Sequence, residues 1–147
     1  MNVPFSLPCY VGIILQEKEK LFLVQRRNTN WAEGCWNFPG GLIEKNEAPK
    51  IAAAREIYEE VGVIVNPADF KFVQVLYVHK NETNTQDIIG FYFKTTTWQG
   101  VPRNNEPDKI IVAQWFDLDS LPQNITEHAI SAIEGITKNV YYAESGW

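Results

Sequence analysis

The stretch from Asn46 to Val61 constrains this chain most, because it reads as a helix standing between two groups of strand-like runs. Asn46 is placed to serve as N-cap, Pro49 falls in the first turn where its missing N–H does no harm, and Gly62 offers a stop. Ala54, Ile57, Tyr58 and Val61 recur at the i, i+3, i+4, i+7 spacing of one buried face. Before this helix, Cys9 to Gln16 and Leu21 to Arg26 read as buried strands joined by the polar turn Glu17 to Lys20. After it, Phe70 to His79 and Ile88 to Thr96 read as long strands around the polar turn Lys80 to Gln86, and Ile110 to Phe116 as another. Asn124 to Ile136 reads as a second helix, with Ala129, Ile130, Ala132, Ile133 and Ile136 on its apolar side. This order lacks the regular strand–helix alternation of a doubly wound sheet. It predicts an α+β domain, a mixed sheet with helices packed on it.

A chain of 147 residues that is 45% hydrophobic makes one domain over 1–147 with a real core. The net charge of −5 argues against coating DNA or RNA, which needs a basic face, so no nucleic-acid polymer is expected as partner. It is compatible with a phosphorylated small molecule if a divalent cation supplies the missing positive charge. The longest apolar runs, such as Val11 to Leu15, are too short to span a bilayer. The first residues have no basic segment followed by an apolar one, so no secretory signal is expected. Two cysteines, Cys9 and Cys35, make neither a disulfide scaffold nor a four-ligand zinc site, and a cytoplasmic location is the simplest expectation.

The chemistry concentrates on the first helix. Glu56, Glu59 and Glu60 stand at i, i+3 and i+4, so their carboxylates leave from one side. They are expected to face no cation of their own helix. Like charges at this spacing cost a helix roughly 0.2–0.5 kcal/mol per pair, and late in a helix they meet the wrong end of its dipole. A solvated polar face explains three such residues taken alone. A hard divalent cation, which prefers oxygen ligands and dense negative charge, would offset that cost, but it is the spacing around them that favours it over the solvated face.

The spacing around them is more specific. Gly41 is followed by five residues, Glu47, seven residues, and then Arg55-Glu56-Ile57-Tyr58-Glu59-Glu60-Val61-Gly62-Val63. This resembles the Nudix box at every defined position. At average residue frequencies near ~6%, chance matches are rarer than about one in a hundred million per start position. The lead-in Trp36-x-Phe38-Pro39-Gly40-Gly41 and a closing helix also suit the family. The resemblance implies a Nudix-type mixed sheet packed between helices, an α/β/α sandwich. It implies Mg²⁺ as cofactor, with Mn²⁺ as a substitute, and hydrolysis of a diphosphate linkage. It also implies residue roles. Glu59 and Glu60 match the main metal ligands, Glu56 matches a residue that binds metal or accepts a proton from the attacking water, and Gly40 would lend a backbone carbonyl. Arg55 and Glu47 match a pair that braces the loop and helix.

Outside the box, family members often add a carboxylate from a loop across the cleft. Glu106 is the candidate here, with Asp108 second, and Arg103 and Lys109 in the same loop are either phosphate contacts or solvated charges. Arg26 and Arg27 end a strand, and one of them is expected at phosphate. Asn124 roughly matches an Asn that reads the purine edge in mutator-type members, offset by one residue, but an ordinary N-cap is the favoured reading there. Trp31, Trp98 and Tyr92 are stacking candidates or core residues, and His79, His128, Cys9 and Cys35 receive no role.

Three functions compete. The first is hydrolysis of a nucleoside triphosphate, standard or oxidised, to monophosphate and pyrophosphate. The second keeps the fold and changes the substrate to ADP-ribose, a dinucleoside polyphosphate or a pterin triphosphate. The third is a catalytically silent module that binds a nucleotide or a protein, and the intact set of box glutamates argues against it. A monomer and a homodimer are both compatible with this reading.

Overall fold

The structure, a computed structural model, describes residues 2–82 and 85–147. In chain order the elements are β1 (Cys9–Glu17), β2 (Lys20–Arg26), β3 (Trp36–Asn37), β4 (Gly40–Leu42), α1 (Pro49–Val61), β5 (Lys71–Val78), β6 (Ile88–Thr95), β7 (Ile110–Asp117), α2 (Glu127–Lys138) and β8 (Tyr142–Ser145). A single 3₁₀ turn, Pro67–Asp69, leads into β5. The strands join in one mixed sheet in the order β3-β2-β1-β6-β5-β8, with β4 on β1 and β7 on β2.

β1 organises this sheet. Cys9 to Leu15 pair in parallel with Ile89 to Thr95 of β6, and Tyr10 to Gly12 pair antiparallel with β4 on the other side. Only the end of β1, at Gln16 and Glu17, pairs with β2. β2 then turns towards β3 and β7. The split opens a cleft between β4 and the end of β2, and the Ile13 N–H holds the connection from β3 to β4 by donating to the Pro39 carbonyl at 2.8 Å.

Alternation along the strands builds two cores. Val11, Ile13 and Leu15 face one side and pack with Ala52, Ala53, Ile57 and Val61 of α1. Ile14, Leu76, Val78 and Tyr92 face the other and pack with Ala129, Ala132 and Ile133 of α2. The result is the expected sandwich, with one helix on each face of the sheet. Burying each such large side chain is worth about 1.5–3 kcal/mol.

Several local expectations are corrected. α1 begins at Pro49 with Ala48 as N-cap, because Asn46 sits in a left-handed turn (φ 64°) and cannot lead into a helix. Gly62 does end α1, at φ 78°, with its N–H donating to the Tyr58 carbonyl. Tyr58 is 55% exposed rather than buried, so the inward stripe runs through Ala52, Ala53, Ile57 and Val61. α2 begins at Glu127 and is capped by Thr126, whose hydroxyl accepts from the Ala129 N–H. Asn124 is therefore not its cap, and Ile130 lies outward. β3, β4 and β8 are additional strands. The polar turn Lys80 to Gln86 falls partly on Thr83 and Asn84, outside the described residues.

Candidate active site

The site is a cleft of about 720 Å³ between the end of β2, the β3–β4 connection and α1. Its floor at one end is acidic. Glu56 and Glu60 line it together with Gly40 and Gly41. A methyl group at Gly40 would fall on the Val11 backbone carbonyl, so only glycine lets β4 lie this close to β1, and one at Gly41 would press on the Glu56 carboxylate. Glu60 Oε2 accepts a hydrogen bond from the Gly40 N–H at 3.0 Å.

Arg55 organises the other carboxylates. Its Nε donates to Glu47 Oε2 at 2.7 Å and its Nη2 to Glu47 Oε1 at 2.9 Å, a bidentate pair. Nη2 also reaches the Leu42 carbonyl at 3.1 Å, and Nη1 reaches Glu56 Oε1 at 2.8 Å and Glu59 Oε2 at 3.5 Å. The expectation that the glutamates face no cation of their own helix is thus corrected. Arg55 stands four residues before Glu59 and beside Glu56, and its guanidinium serves both. Glu59 has a side chain 48% exposed and does not line the cleft, whereas Glu47 is only 11% exposed.

Electrostatics separates these acids. Burial pushes the Glu60 carboxyl up to about 8, helped by repulsion from Glu56 and Glu106 and opposed by the Gly40 N–H. Burial also raises Glu56, with Arg55 pulling the other way. Hydrogen bonds from Arg55, and then from the Glu44 N–H, hold Glu47 down at about 2.

The turn carrying Glu106 is tied to the end of α1. The Asn105 N–H donates to the Glu60 carbonyl at 2.9 Å, and its Nδ2 donates to the carbonyls of Tyr58 and Glu59 at 3.3 Å. The Arg103 N–H donates to the Val61 carbonyl at 3.0 Å. These bonds satisfy carbonyls that a helix end leaves without partners. They bring Glu106 close enough to raise both Glu56 and Glu60. Glu106 itself pairs with Lys109 at 3.0 Å, and the Lys109 side chain lines the cleft. Asp108 lies on the exposed side of the turn, where its carbonyl accepts from Asn28. Arg103 turns to Gly62 and Asn105 rather than to the cleft.

The far end of the cleft is aromatic. The Arg26 guanidinium lies over the Trp31 ring at 4.7 Å while donating to the Trp31 carbonyl and to Thr29 Oγ1. His128 stacks on Trp31 at 4.7 Å and on Tyr10 at 6.5 Å. Burial and the charge of Arg26 lower the His128 imidazole to about 4, so it is neutral at pH 7. The Tyr10 and Tyr92 hydroxyls share a hydrogen bond of 2.9 Å at the base of this wall. Arg27 also borders the cleft, while its Nη1 donates to the Pro107 carbonyl.

The sequence candidates therefore divide. Arg26, Gly40, Glu56, Glu60 and Lys109 meet in the cleft, with Arg55, Glu59 and Glu106 beside it. Asn124 does not; its Nδ2 is bound to the Gly34 carbonyl at 2.8 Å. Trp98 stacks on Trp115 against the α1-side core, and His79 stacks on Trp147 away from the cleft. Asn37, Tyr10 and His128 enter the cleft unannounced. Of these, only the Trp36-Asn37-Phe38 lead-in gave a signal, through its neighbours. Among the described residues, no three Asp, Glu, His or Cys side chains converge on one point as a ready metal cage. Glu56 and Glu60 are held instead by Arg55 and by the Gly40 N–H.

Comparison with known proteins fits this geometry. The model of the NUDIX domain matches residues 7–136. The 8-oxo-dGTP diphosphatase of Escherichia coli K12 is 31% identical over 116 residues, covering 79% of this chain and 84% of that protein. The ADP-ribose pyrophosphatase of Methanocaldococcus jannaschii is 30% identical over 115 residues, covering 78% and 64%. The crystal structure of a MutT NUDIX hydrolase from Burkholderia pseudomallei superposes with a TM-score of 0.82 at 27% identity, covering 90% of this chain and 99% of that one. With its acidic helix, glycine-lined strand and arginine brace all in the matched region, the chain belongs to the NUDIX family, among its MutT-like hydrolases.

Proposed function

We propose that the protein hydrolyses the diphosphate linkage of a nucleoside triphosphate, giving a nucleoside monophosphate and pyrophosphate. The observation that carries this reading is the pairing of ends in one cleft. A crowded acidic floor formed by Glu56 and Glu60 lies opposite a wall of Tyr10, Trp31 and His128. The first end suits phosphates held through a cation, and the second suits a base, which has a π-face on each side.

The donor set fits a hard divalent ion. It offers oxygen only, and burial and neighbouring acids keep Glu60 from holding its own charge near neutral pH. Glu56, Glu59, Glu60 and the Gly40 carbonyl would hold Mg²⁺ or Mn²⁺. When bound, such an ion neutralises phosphate oxygens and lowers the pKa of a water. The chain's own residues do the rest. Lys109 and Arg26 supply positive charge along the cleft wall. Arg55 fixes Glu56 from one side, so a single carboxylate edge faces the cleft to accept a proton. Glu47 and the Leu42 carbonyl fix Arg55 in turn. Glu106 adds a third negative group from across the turn.

Incubation with Mg²⁺ and a panel of nucleoside triphosphates, followed by pyrophosphatase and phosphate detection, should show turnover that Glu59→Gln removes without unfolding the chain. Silence across the panel would sink the reading. ADP-ribose remains the second reading, because one relative carries that activity in its name. Faster hydrolysis of ADP-ribose than of any triphosphate would decide for it.

A further inference from the structure

Among the described residues, Arg26, Arg27 and Lys109 are the lysines and arginines that line the cleft, and the first two are tied down. Arg26 donates to the Trp31 carbonyl and to Thr29 Oγ1 and lies over the Trp31 ring. Arg27 donates to the Pro107 carbonyl at 3.2 Å. Lys109 is held differently. Its ammonium pairs with Glu106 Oε1 at 3.0 Å, and the lysine side chain is 72% exposed. Such a pair is weak, because water and side-chain freedom offset most of its attraction. Lys109 is therefore the cleft cation most easily moved.

The backbone that carries the pair is fixed. The Glu106 N–H donates to Asn104 Oδ1 at 3.1 Å, and the Glu106 carbonyl accepts from the Lys109 and Ile110 N–H groups, both at 3.0 Å. Asn104 Nδ2 donates to the Ile110 carbonyl at 2.8 Å. The end of β2 grips the same turn, with the Arg27 N–H donating to the Lys109 carbonyl at 2.9 Å and Asn28 Nδ2 to the Asp108 carbonyl at 2.8 Å. Any exchange of partners at Glu106 must then be made by side chains alone. The acids already divide their partners. Glu56 has Arg55, Glu60 has the Gly40 N–H, and Glu106 has Lys109. The Lys109 charge is favoured by Glu106 first and then by Glu60 and Glu56, so the ammonium stands in the field of all three carboxylates.

We infer that Lys109 is a positioning residue with two stations: it holds Glu106 in the absence of a divalent cation, then yields Glu106 to that cation and turns its ammonium to the phosphate oxygens of the substrate. This rests on the reading of the cleft as a site for a cation-bound phosphate. A lysine that merely sits in solvent near the acids would repel an incoming ion to the same degree whether or not Glu106 is present. A lysine that competes for Glu106 opposes the ion through that one carboxylate. The difference is measurable.

The test is a double-mutant cycle read by binding. The paramagnetic resonance of free Mn²⁺ gives the cation affinity of the wild type, Lys109→Gln, Glu106→Gln and the double variant. The bonds that shape the turn run through its backbone and Asn104, so these variants keep the fold. Lys109→Gln should bind Mn²⁺ about two- to fivefold tighter than the wild type, the scale of one exposed ion pair removed. Glu106→Gln should bind it at least about fivefold more weakly. In the Glu106→Gln background the lysine change should shift affinity by less than about twofold. With Mn²⁺ saturating, calorimetry should show inorganic pyrophosphate binding about tenfold more weakly to Lys109→Gln than to the wild type. Mn²⁺ affinity unchanged or weakened in Lys109→Gln, or raised equally in both backgrounds, overturns the inference, and so does unchanged pyrophosphate binding. No Mn²⁺ binding by any of the four proteins removes the cation reading and this inference with it. Failure to hydrolyse any triphosphate while the binding pattern holds removes the proposed reaction and leaves the exchange standing.

Discussion

The two helices obey different rules. α2 follows those of stability. Thr126 caps it, Glu127 lies in its first turn, Lys138 in its last, and Asn139 closes it in a left-handed conformation. α1 breaks them. Ala48 gives no side-chain cap, there is no acid in the first turn and no base in the last, and Glu59 and Glu60 stand at the end where negative charge is least welcome. α1 survives because other parts of the chain compensate. Arg55 spans its acids, its inner stripe is fully buried, and the turn at Arg103 and Asn105 takes its terminal carbonyls. A helix that needs so much outside support is shaped by its chemistry. A helix that supports itself is shaped by packing.

The sharpest way to break this comparison is Glu60→Gln. If α1 is built for reaction, turnover falls at least about a hundredfold, because the variant takes a carboxylate ligand from the cation the reaction needs. The same change should help stability. In the metal-free protein Glu60 has a folded pKa of about 8, above its unfolded value, so the folded state binds more protons in between. Stability must therefore decline as pH rises from about 4.5 to 8. Thermal melts in EDTA should show that decline for the wild type and a flatter profile for Glu60→Gln, and added Mg²⁺ should protect only the wild type at pH 8. A steeper decline in the variant would contradict the assignment.

Arg55→Lys comes next. Lysine keeps the charge and loses the fork that grips Glu47 and Glu56 together. Denaturant melts should show about 2 kcal/mol less stability, and turnover should fall roughly tenfold as Glu56 loses its fixed edge. Smaller effects belong to the caps. Thr126→Ala should lower stability by about 1 kcal/mol, since α2 depends on that hydroxyl. Ala48→Asp should raise it by about 0.5 kcal/mol by giving α1 the cap and first-turn charge it lacks. A neutral Thr126→Ala, or a damaging Ala48→Asp, would blur the contrast between the helices.

What was legible in the sequence follows the same division. α1, its stop at Gly62 and the five long strands come from periodicities carried within each segment, and they read correctly to within a few residues. The short strands β3, β4 and β8 carry no such period; they exist because distant partners pair with them. Among site residues, Glu56, Glu60, Arg55 and Gly40 were legible because their relation is a spacing along one stretch of chain. Asn37 was not, since its side chain in the cleft is held by a hydrogen bond from Thr126, 89 positions away. The helix start was misplaced at Asn46 for a local reason, a left-handed backbone that a sequence signal for capping does not reveal.

The parallel pairing of β1 with β6 has a consequence for how the molecule comes into being. Cys9 and Ile89 are neighbours in the finished sheet, yet 80 positions separate them along the chain. On a ribosome, the acidic helix is made before the strand that completes its supporting platform. Until Ile88 to Thr95 arrive, β1 has one unsatisfied edge and α1 has no second wall, so contacts this remote slow assembly and prolong the exposure of apolar strands. The protein's most reactive surface is thus synthesised early and takes its working shape late.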